Sequence, residues 1–429
     1  MAAAAILSDV IAGRHPLEEC FGPGAAISRI SDLVPADAAL ARSIVTVALR
    51  RLGTIRSALG KLIDKALPRQ ASELEWTLTA AAAQLLFLDV PDYAAVDLAV
   101  RAARLGSHTA PFTGLVNGVL RNLIRLRDSI VRESNPLSDD TPGWLAARWC
   151  KNYGEAVARA IAAANREEPV LDITVLCDPE SWAAKLGALL LPTGSLRLRT
   201  HAKINELPGF AEGQWFVQDA AAALPARLLR VRPGMRVADF CAAPGGKTAQ
   251  LAATGAAVTA IDRSAERLKM LAANLSRLKL HADITVADAA CLKAPPFDAV
   301  LVDAPCLGTG TIRRHPDIAW TKKPSDLTAL TALQARLLDK AAELVKPGGT
   351  LVYCTCSLEP EENEMQVSAL LRRNPGLVRD RVGPAEIAGL PELLNAESEL
   401  RTLPCHLAAS EPRLAGLDGF FAARLLRVY

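Results

Sequence analysis

The sequence predicts a multidomain protein with an all-α domain first, a small α/β module next, and a doubly wound α/β domain last. Its 429 residues are enough for two or three domains. In the first part of the chain, apolar residues recur at three- and four-residue steps, as at Leu74, Leu78 and Leu85, which predicts helices. From Met235 onward, short apolar runs alternate with amphipathic segments, and this alternation is typical of parallel strands joined by helices.

The composition supports a folded, cytoplasmic protein. Half of the residues are hydrophobic and 22% are charged, which permits a large core and excludes global disorder. The sequence has no apolar run long enough to predict a membrane helix, and Asp9 interrupts the N-terminal segment too early for a signal peptide. The nine scattered cysteines suit free thiols in a reducing compartment. A net charge of +3 permits a nucleic-acid partner without requiring one.

The predicted domain boundaries follow changes in these patterns. We expect a helical domain at residues 1–133, a turn-rich linker at 134–143, a small module at 144–217 and the doubly wound domain at 218–429. In the small module, the pattern predicts a helical segment Trp144–Asn165, strands Val170–Leu176, Ser195–Thr200 and Gln214–Val217, and a helix Ser181–Leu190. In the last domain, it predicts strands Met235–Cys241, Ala257–Asp262, Asp283–Ala287, Asp298–Asp303, Thr350–Cys354 and Gly419–Val428, with helices between the first five, beginning with Thr248–Ala253 and Ala265–Leu278.

A glycine-containing loop joins the first of these strands to a helix. Gly246-Lys247-Thr248 matches the end of a P-loop, but Cys241 stands where that motif requires glycine, and the dinucleotide pattern G-x-G-x-x-G is also absent. The remaining interpretation is a tight turn whose backbone N–H groups approach a ligand at the N-terminus of a helix.

Two carboxylates follow the next two strands. Asp262 ends the second strand, where an acidic residue often binds ribose hydroxyls, and Asp288 follows the third. A nucleoside held by carboxylates without a phosphate cradle fits S-adenosylmethionine better than ATP or NAD. The alternative is that both residues are ordinary turn residues.

Two thiols and a carboxylate are predicted at the same edge of the sheet. Asp303 and Cys306 follow the fourth strand, and Cys356 follows the fifth. These groups suit methylation of cytosine at carbon-5, which needs a thiolate to add to carbon-6, a carboxyl group near ring N3, and a base that removes the carbon-5 proton. The residues alone leave alternatives open: buried cysteines often serve as small hydrophobic residues, Cys354 is a rival nucleophile, and a zinc site lacks suitable spacing and a fourth ligand.

Three ordered motifs resemble the RNA cytosine-C5 methyltransferases of the Sun and Fmu type. They are the segment from Asp239 to Thr248, the segment from Asp303 to Cys306, and Thr355-Cys356-Ser357 followed by Pro360-Glu361-Glu362-Asn363-Glu364. The resemblance covers nearly the whole chain. Residues before the linker are similar to the helical RNA-binding domain of the NusB family, most clearly from Val116 to Arg121.

The resemblance implies a fold, a cofactor and a role for each site residue. It implies a NusB-like helical domain and a Rossmann-like (class I) methyltransferase domain that uses S-adenosylmethionine. It makes Cys356 the nucleophile, Cys306 the thiol needed for product release, and Asp303 the carboxyl near N3 and N4. The cofactor site is then lined by Cys241, Ala242, Ala243, Pro244, Gly245, Gly246, Lys247, Asp262, Asp288 and Asp303.

The expected partner is RNA, with 16S ribosomal RNA favoured by the helical first domain. Transfer RNA and a noncatalytic assembly role are the alternatives, and we expect a monomer without a metal or a membrane. Asp172 stands where relatives resembling this chain usually place an arginine, and if that arginine helps to hold RNA, substrate specificity is expected to differ here.

Two groups of basic residues are candidates for phosphate contacts. Arg197, Arg199 and Lys203 alternate along one predicted strand, which is also a pattern of edge strands that use charge against aggregation. Arg313 and Arg314 follow the segment that carries Cys306, and Trp320 near them suits either base stacking or packing.

Overall fold

The computed structural model describes residues 1–21, 30, 33–63, 67–68, 71–199 and 203–429. They form two compact units, one of Met1–Arg166 with Arg314–Lys322, and one of Glu167–Arg313 with Lys323–Tyr429. Among the described residues, no helix combines the length and apolar character needed to cross a bilayer.

The first unit is helical, as predicted. Its central helix, Glu73–Phe87, is buried on nearly all sides and packs against five other helices of the unit. The run from Ala80 to Ala83 is fully buried, and these small side chains let neighbouring helices approach closely. The helices before the small module are α1 Ala2–Ile11, α2 Leu17–Phe21, α3 Pro35–Arg50, α4 Leu52–Leu62, α5 Glu73–Phe87, α6 Asp92–Leu105, α7 Thr113–Glu133, α8 Gly143–Tyr153 and α9 Glu155–Arg166.

The division between the units falls after Arg166, later than the predicted linker at residues 134–143. A buried ion pair explains the shift, because Arg166 of α9 lies 2.6 Å from Asp140 of the linker. The same Asp140 accepts hydrogen bonds from the backbone N–H of Thr54 at 2.7 Å and from its hydroxyl at 2.9 Å. The linker and the helices that follow it are therefore anchored to α4.

The segment Arg314–Lys322 also belongs to the helical unit. Asp317 accepts a hydrogen bond from the backbone N–H of Leu17 at 3.2 Å. The indole N–H of Trp320 donates to the carbonyl of Leu49 at 2.8 Å, and its ring packs against the helical core. Trp320 therefore takes the packing role.

The small module is a four-stranded antiparallel sheet at the start of the second unit. The predicted helix Ser181–Leu190 is too long, because the chain adopts a left-handed conformation at Gly187 and the next residues form a strand. The end of the predicted strand at Thr200 lies outside the described residues. The elements are β1 Asp172–Val175, α10 Pro179–Leu186, β2 Leu189–Leu190, β3 Leu196–Arg197 and β4 Trp215–Val217.

The rest of the second unit is the predicted doubly wound domain. Its elements are α11 Leu224–Leu228, β5 Arg236–Phe240, α12 Gly246–Ala253, β6 Ala257–Asp262, α13 Ala265–Leu278, β7 Asp283–Val286, β8 Phe297–Asp303, α15 Asp326–Leu344, β9 Val345–Thr355, α16 Glu364–Arg373, β10 Leu377–Arg379, β11 Leu400–Thr402 and β12 Phe420–Arg427. The short helix α14, Ile318–Thr321, lies between β8 and α15 in the chain but belongs to the first unit. The strand order is β10-β12-β9-β8-β5-β6-β7, with β11 paired to β12. Strands β5 to β9 are parallel, and β12 is antiparallel to β9. The predicted fold class is confirmed.

Two details differ from the prediction. In the fully described stretch from β7 to β8, the connection holds only the 3₁₀ turn Ala289–Cys291, where a helix was expected. The strands β10 and β11 were not predicted, because three residues are too few to show a two-residue period.

A buried ion pair joins two strands of the small module. Asp172 of β1 lies opposite Arg197 of β3, and its carboxylate accepts two hydrogen bonds from the guanidinium at 2.7 Å each. Arg197 also donates to the carbonyl of Leu414 at 2.7 Å, and only 2% of its surface is exposed. The prediction that Arg197 contacts RNA is therefore wrong, because its guanidinium is enclosed and satisfied within the protein. Asp172 therefore has a structural partner within the small module.

We expect Asp172→Ala to destabilise the protein by about 3–5 kcal/mol, because a buried guanidinium would lose its counter-charge. Urea unfolding followed by circular dichroism would measure this change. Asp172→Leu combined with Arg197→Met should recover most of the loss. As a control, Glu206→Ala removes the exposed ion pair with Lys203 and should have little effect. If Asp172→Ala and Glu206→Ala lower the free energy of unfolding equally, the stabilising role of the buried pair is contradicted.

Candidate active site

The carboxyl ends of two neighbouring parallel strands bring two thiols together. Asp303, the last residue of β8, is paired in register with Cys354 of β9. Cys306 lies three residues beyond this pair on the loop after β8, and Cys356 follows β9 directly. Their sulfur atoms lie 3.5 Å apart, and both residues are half-buried. The predicted placement of both thiols at one edge of the sheet is what the structure shows.

A glycine fixes the distance between the two loops. The backbone N–H of Gly310 donates to the carbonyl of Cys356 at 2.9 Å. A Cβ atom at position 310 would lie 2.0 Å from the carbonyl oxygen of Gly419, far inside van der Waals contact. Only glycine permits this approach of the loop to the end of β9.

The rival thiol, Cys354, is in a different environment. It is fully buried, and its sulfur lies 3.5 Å from Oδ1 of Asp303. Burial, together with the Asp303 carboxylate, raises the pKa of Cys354 well above its usual range. Cys354 therefore stays neutral and enclosed, which favours Cys356 as the reactive sulfur of β9.

The Cys306 thiol is also held in its neutral form. The hydrogen bond with Cys356 raises its pKa well above the usual range, and burial and the nearby charge of Glu362 act in the same direction. The S–H of Cys306 can therefore donate to the sulfur of Cys356 across the 3.5 Å gap.

A lysine holds the carboxylate at the end of β8. The ammonium group of Lys247 lies 2.7 Å from Oδ2 of Asp303 and 4.7 Å from the ring centre of Phe420. Burial disfavours the ammonium charge, but the Asp303 carboxylate outweighs it and raises the pKa of Lys247. Lys247 therefore stays charged and orients Asp303 at the end of β8.

The loop between β5 and α12 turns sharply at Gly245. This residue has φ 105°, and a Cβ atom there would lie 2.7 Å from the side chain of Leu271, so the turn requires glycine. Asp262 at the end of β6 accepts hydrogen bonds from the backbone N–H groups of Ala243 at 3.2 Å and Ser264 at 2.9 Å. The carboxylate of Asp262 therefore holds the loop in place.

The donor set around this loop fits a nucleoside cofactor. Asp262, Asp288 and Asp303 end or follow the parallel strands β6, β7 and β8, around the loop that contains Gly245. Asp288 is half exposed, accepts from the backbone N–H of Ala290 at 3.0 Å and lies 3.4 Å from Arg336. Cys241 at the start of the loop is inert, since burial raises its pKa to about 12.

The other basic residues predicted to bind RNA differ in their solvent exposure. Arg313 is 2% exposed and donates to the carbonyl of Ala415 at 2.8 Å, so its predicted contact with RNA is wrong because its side chain is buried within the protein. Arg199 and Lys203 are exposed, and Lys203 lies 3.2 Å from Glu206. Arg314 is half-buried and belongs to the helical unit.

Sequence reasoning did not assign roles to three buried polar residues next to the thiols. Glu362 and Gln334 contact the loop that carries Cys306. The amide of Asn363 donates to the carbonyls of Ser357 at 2.8 Å and Glu359 at 2.9 Å, beside Cys356. Glu362 and Asn363 lie in a segment that the sequence singled out, but Gln334 is one polar residue in a long helix and carries no signal of its own.

Comparison with known proteins agrees with this geometry. The model of the family "16S rRNA methyltransferase RsmB/F" matches residues 226–426, and that of the NusB family matches residues 1–125. Ribosomal RNA small subunit methyltransferase B of Cronobacter sakazakii is 34% identical over 91% of both chains. The chain belongs to the RsmB/F methyltransferase family. It is an RNA methyltransferase that depends on S-adenosylmethionine, so the predicted enzyme class and cofactor are confirmed.

Solved structures support the same fold. The protein PH0851 has a TM-score of 0.75 and 23% identity and aligns over 99% of this chain and 98% of its own. A methyltransferase homologue from Pyrococcus horikoshii has a TM-score of 0.56 and 29% identity, covering 70% of this chain and 98% of its own. The NusB-like helical domain predicted by resemblance is confirmed by the match to that family.

The buried carboxyl of Asp239, beneath the cofactor loop, gives a test by pH. Burial raises its pKa to about 7, although the Thr248 hydroxyl donates to it at 2.6 Å. In the unfolded chain an aspartate has a pKa of about 4, so its stabilising contribution is present below that pH and is lost as the pH rises through about 7. Asp239→Asn does not titrate. We therefore expect its unfolding free energy, relative to the unchanged protein, to rise between pH 5 and pH 7 by at most about 1.4 kcal/mol per pH unit. Urea unfolding at several pH values measures this, and a difference that does not vary with pH would contradict the assignment.

Proposed function

We propose that this enzyme methylates carbon-5 of a cytosine in 16S ribosomal RNA through a temporary covalent bond between Cys356 and carbon-6. The observation that carries the proposal is the pair of sulfur atoms, 3.5 Å apart, beside the carboxylate of Asp303 and the cofactor loop. The family and the named activity of the relatives support a small-subunit ribosomal RNA as substrate. The complete set of reactive residues argues against a decayed, noncatalytic protein.

The first step activates an inert carbon. Carbon-5 of cytosine is aromatic and too weakly nucleophilic to accept a methyl group directly. The Cys356 thiolate adds to carbon-6, forming a sulfur–carbon bond and moving the ring electrons toward carbon-5 and N3. Cys356 suits this role because it is half-buried, whereas Cys354 is enclosed.

Asp303 stabilises the ring during this addition. The Asp303 carboxylate accepts a hydrogen bond from the N4 amino group of the base, and the Lys247 ammonium beside it can pass a proton through that carboxyl group to N3, where the negative charge accumulates. The 2.7 Å contact with Lys247 fixes the orientation of this carboxyl group and places a positive charge next to it. Preorganised charges of this kind need little rearrangement when the reaction occurs.

The cofactor residues are those around the glycine loop. Bound S-adenosylmethionine supplies an electrophilic methyl group for carbon-5. The loop from Cys241 to Lys247 would hold it through backbone groups, and Asp262, Asp288 and Asp303 would bind its polar groups.

The last step restores the aromatic ring and frees the enzyme. A base removes the proton from carbon-5, the electron pair re-forms the ring double bond, and the bond between carbon-6 and the Cys356 sulfur breaks to give back the thiolate. We assign the base to Cys306. Adduct formation converts Cys356 to a neutral thioether, which removes the leading cause of the raised pKa of Cys306. Cys306 can then release its own proton to solvent and accept the proton of carbon-5.

The RNA must present an unstacked cytosine to reach the thiols, which favours a single-stranded or looped site. Of the basic residues predicted to contact phosphates, the exposed Arg199 and Lys203 keep this proposed role, as does Arg314.

We expect Cys356→Ala to abolish methyl transfer while S-adenosylmethionine still binds, because the variant cannot form the bond to carbon-6. Transfer of radiolabelled methyl groups to 16S ribosomal RNA and calorimetric titration of the cofactor would measure the two properties. Cys354→Ala is the matched control on the same strand and should retain catalysis. Full activity of the Cys356 variant would exclude it as the nucleophile.

We expect Cys306→Ala to form the covalent adduct but to release it slowly, because the carbon-5 proton has no acceptor. A protein–RNA band should therefore accumulate on a denaturing gel. Bisulfite sequencing of 16S ribosomal RNA methylated by the unchanged enzyme would identify the target nucleotide. If no band appears although methylation is impaired, Cys306 does not act in release.

A further inference from the structure

Two buried side chains enclose the loop that carries Cys306. The backbone N–H of Leu307 donates to both carboxylate oxygens of Glu362, at 3.1 and 3.2 Å. The side-chain amide of Gln334 donates to the carbonyl of Pro305 at 2.9 Å and to Glu362 at 3.0 Å. The residues before and after Cys306 are thus held by a hydrogen-bonded pair, which we call the Glu362–Gln334 clamp.

Several elements support the clamp. Both side chains have 0% exposure. Gln334 lies on α15, whereas Glu362 ends the 3₁₀ turn Pro360–Glu362 after β9. The hydroxyl of Tyr353 on β9 donates to the backbone carbonyl of Glu362, which fixes the turn against the sheet.

Holding a loop with a buried carboxylate is unfavourable in free energy, because the charged group loses its hydration. Removing such a group from water is unfavourable unless donors compensate, and apolar packing often gives equal or greater stability. Burial does raise the pKa of Glu362, against the opposing effect of its hydrogen bonds. A buried Glu362 carboxylate therefore indicates that the exact position of the loop is important for function.

Cys356 is held by a separate set of contacts. Asn363, the next residue after Glu362, donates to the carbonyl of Ser357 at 2.8 Å and accepts a hydrogen bond from the hydroxyl of Thr355. Consecutive residues of one segment therefore fix different thiols. Loss of the clamp should disturb Cys306 more than Cys356.

We propose that Glu362 and Gln334 are positioning residues for the release half of the reaction, since they hold Cys306 where it can reach carbon-5 of the adduct. This inference rests on the proposed role of Cys306 in product release. The charge of Glu362 also raises the pKa of Cys306 throughout the cycle, so its proposed role is to position the loop and not to ionise the thiol. A displaced loop would leave the attack by Cys356 intact and slow only the later proton transfer.

The principal test is Gln334→Leu, which keeps the volume of the side chain and removes both of its hydrogen bonds. We expect product release to slow by about 10-fold to 100-fold, as for other small displacements of a reacting group, so the covalent protein–RNA band accumulates on a denaturing gel. S-adenosylmethionine affinity should not change. Glu362→Gln is the second variant and should show the same trapping, because in either orientation its amide NH₂ group replaces an oxygen that accepts from the backbone N–H of Leu307.

Gln366→Leu is the matched control. Gln366 is also a buried glutamine and donates to a carbonyl of α15, that of Thr331 at 3.2 Å, but it does not hold the Cys306 loop. A purely structural effect of removing a buried amide would lower the thermal stability of both glutamine variants without trapping RNA.

Cys306→Ala, assayed beside these variants, separates the two proposals. If Cys306→Ala traps no RNA, the proposed release mechanism fails. If it traps RNA while Gln334→Leu and Glu362→Gln do not, the clamp proposal alone is overturned, whether or not the variants lose activity. If all three trap RNA and Gln366→Leu does not, the clamp is supported. The double variant Cys306→Ala with Gln334→Leu should then release RNA no more slowly than Cys306→Ala alone.

Discussion

The approach of two sulfur atoms to 3.5 Å is the constraint on which the site depends. It follows from the topology, because β8 and β9 are parallel neighbours and their carboxyl ends coincide at one edge of the sheet. Proximity of strands is not sufficient, since the loop after β8 must also turn back toward β9. Gly310 permits that turn by placing its backbone against the carbonyls of Cys356 and Gly419, where no side chain would fit.

The charged side chains around the thiols are partly or fully buried. Lys247 and Asp303 neutralise each other at 2.7 Å, whereas Glu362 is surrounded by donors. Such groups contribute little to stability, but they are fixed in direction, and fixed dipoles and charges favour a reaction more than mobile ones do. The buried ion pair of Asp172 and Arg197 has a different role, because it joins two strands of the small module and takes no part in the proposed reaction.

The sequence was sufficient to predict those parts of the site that depend on strand ends. Asp262 and Cys356 were placed correctly because each adjoins a strand with a clear apolar pattern. Arg197 was misplaced because its partner, Asp172, lies on another strand, and the pairing of antiparallel strands cannot be read from local alternation. Gln334 was missed for a similar reason: it is a single buried polar residue in α15, and its partners come from two distant loops. Local pattern predicts the elements, but contacts between distant elements determine which polar side chains are buried.

The two thiols need opposite protonation states at successive steps, and one pair of sulfur atoms can supply both in the proposed mechanism. Before attack, two thiolates 3.5 Å apart would repel each other, and the neutral Cys306 thiol avoids that repulsion. After attack, that charge is consumed in the bond to carbon-6, so the contribution of Cys356 to the raised pKa of Cys306 is removed, while those of burial and Glu362 remain. The covalent step therefore activates the carbon and prepares the base. This coupling works only while Cys306 stays close to Cys356, which gives a physical reason for holding its loop from both sides.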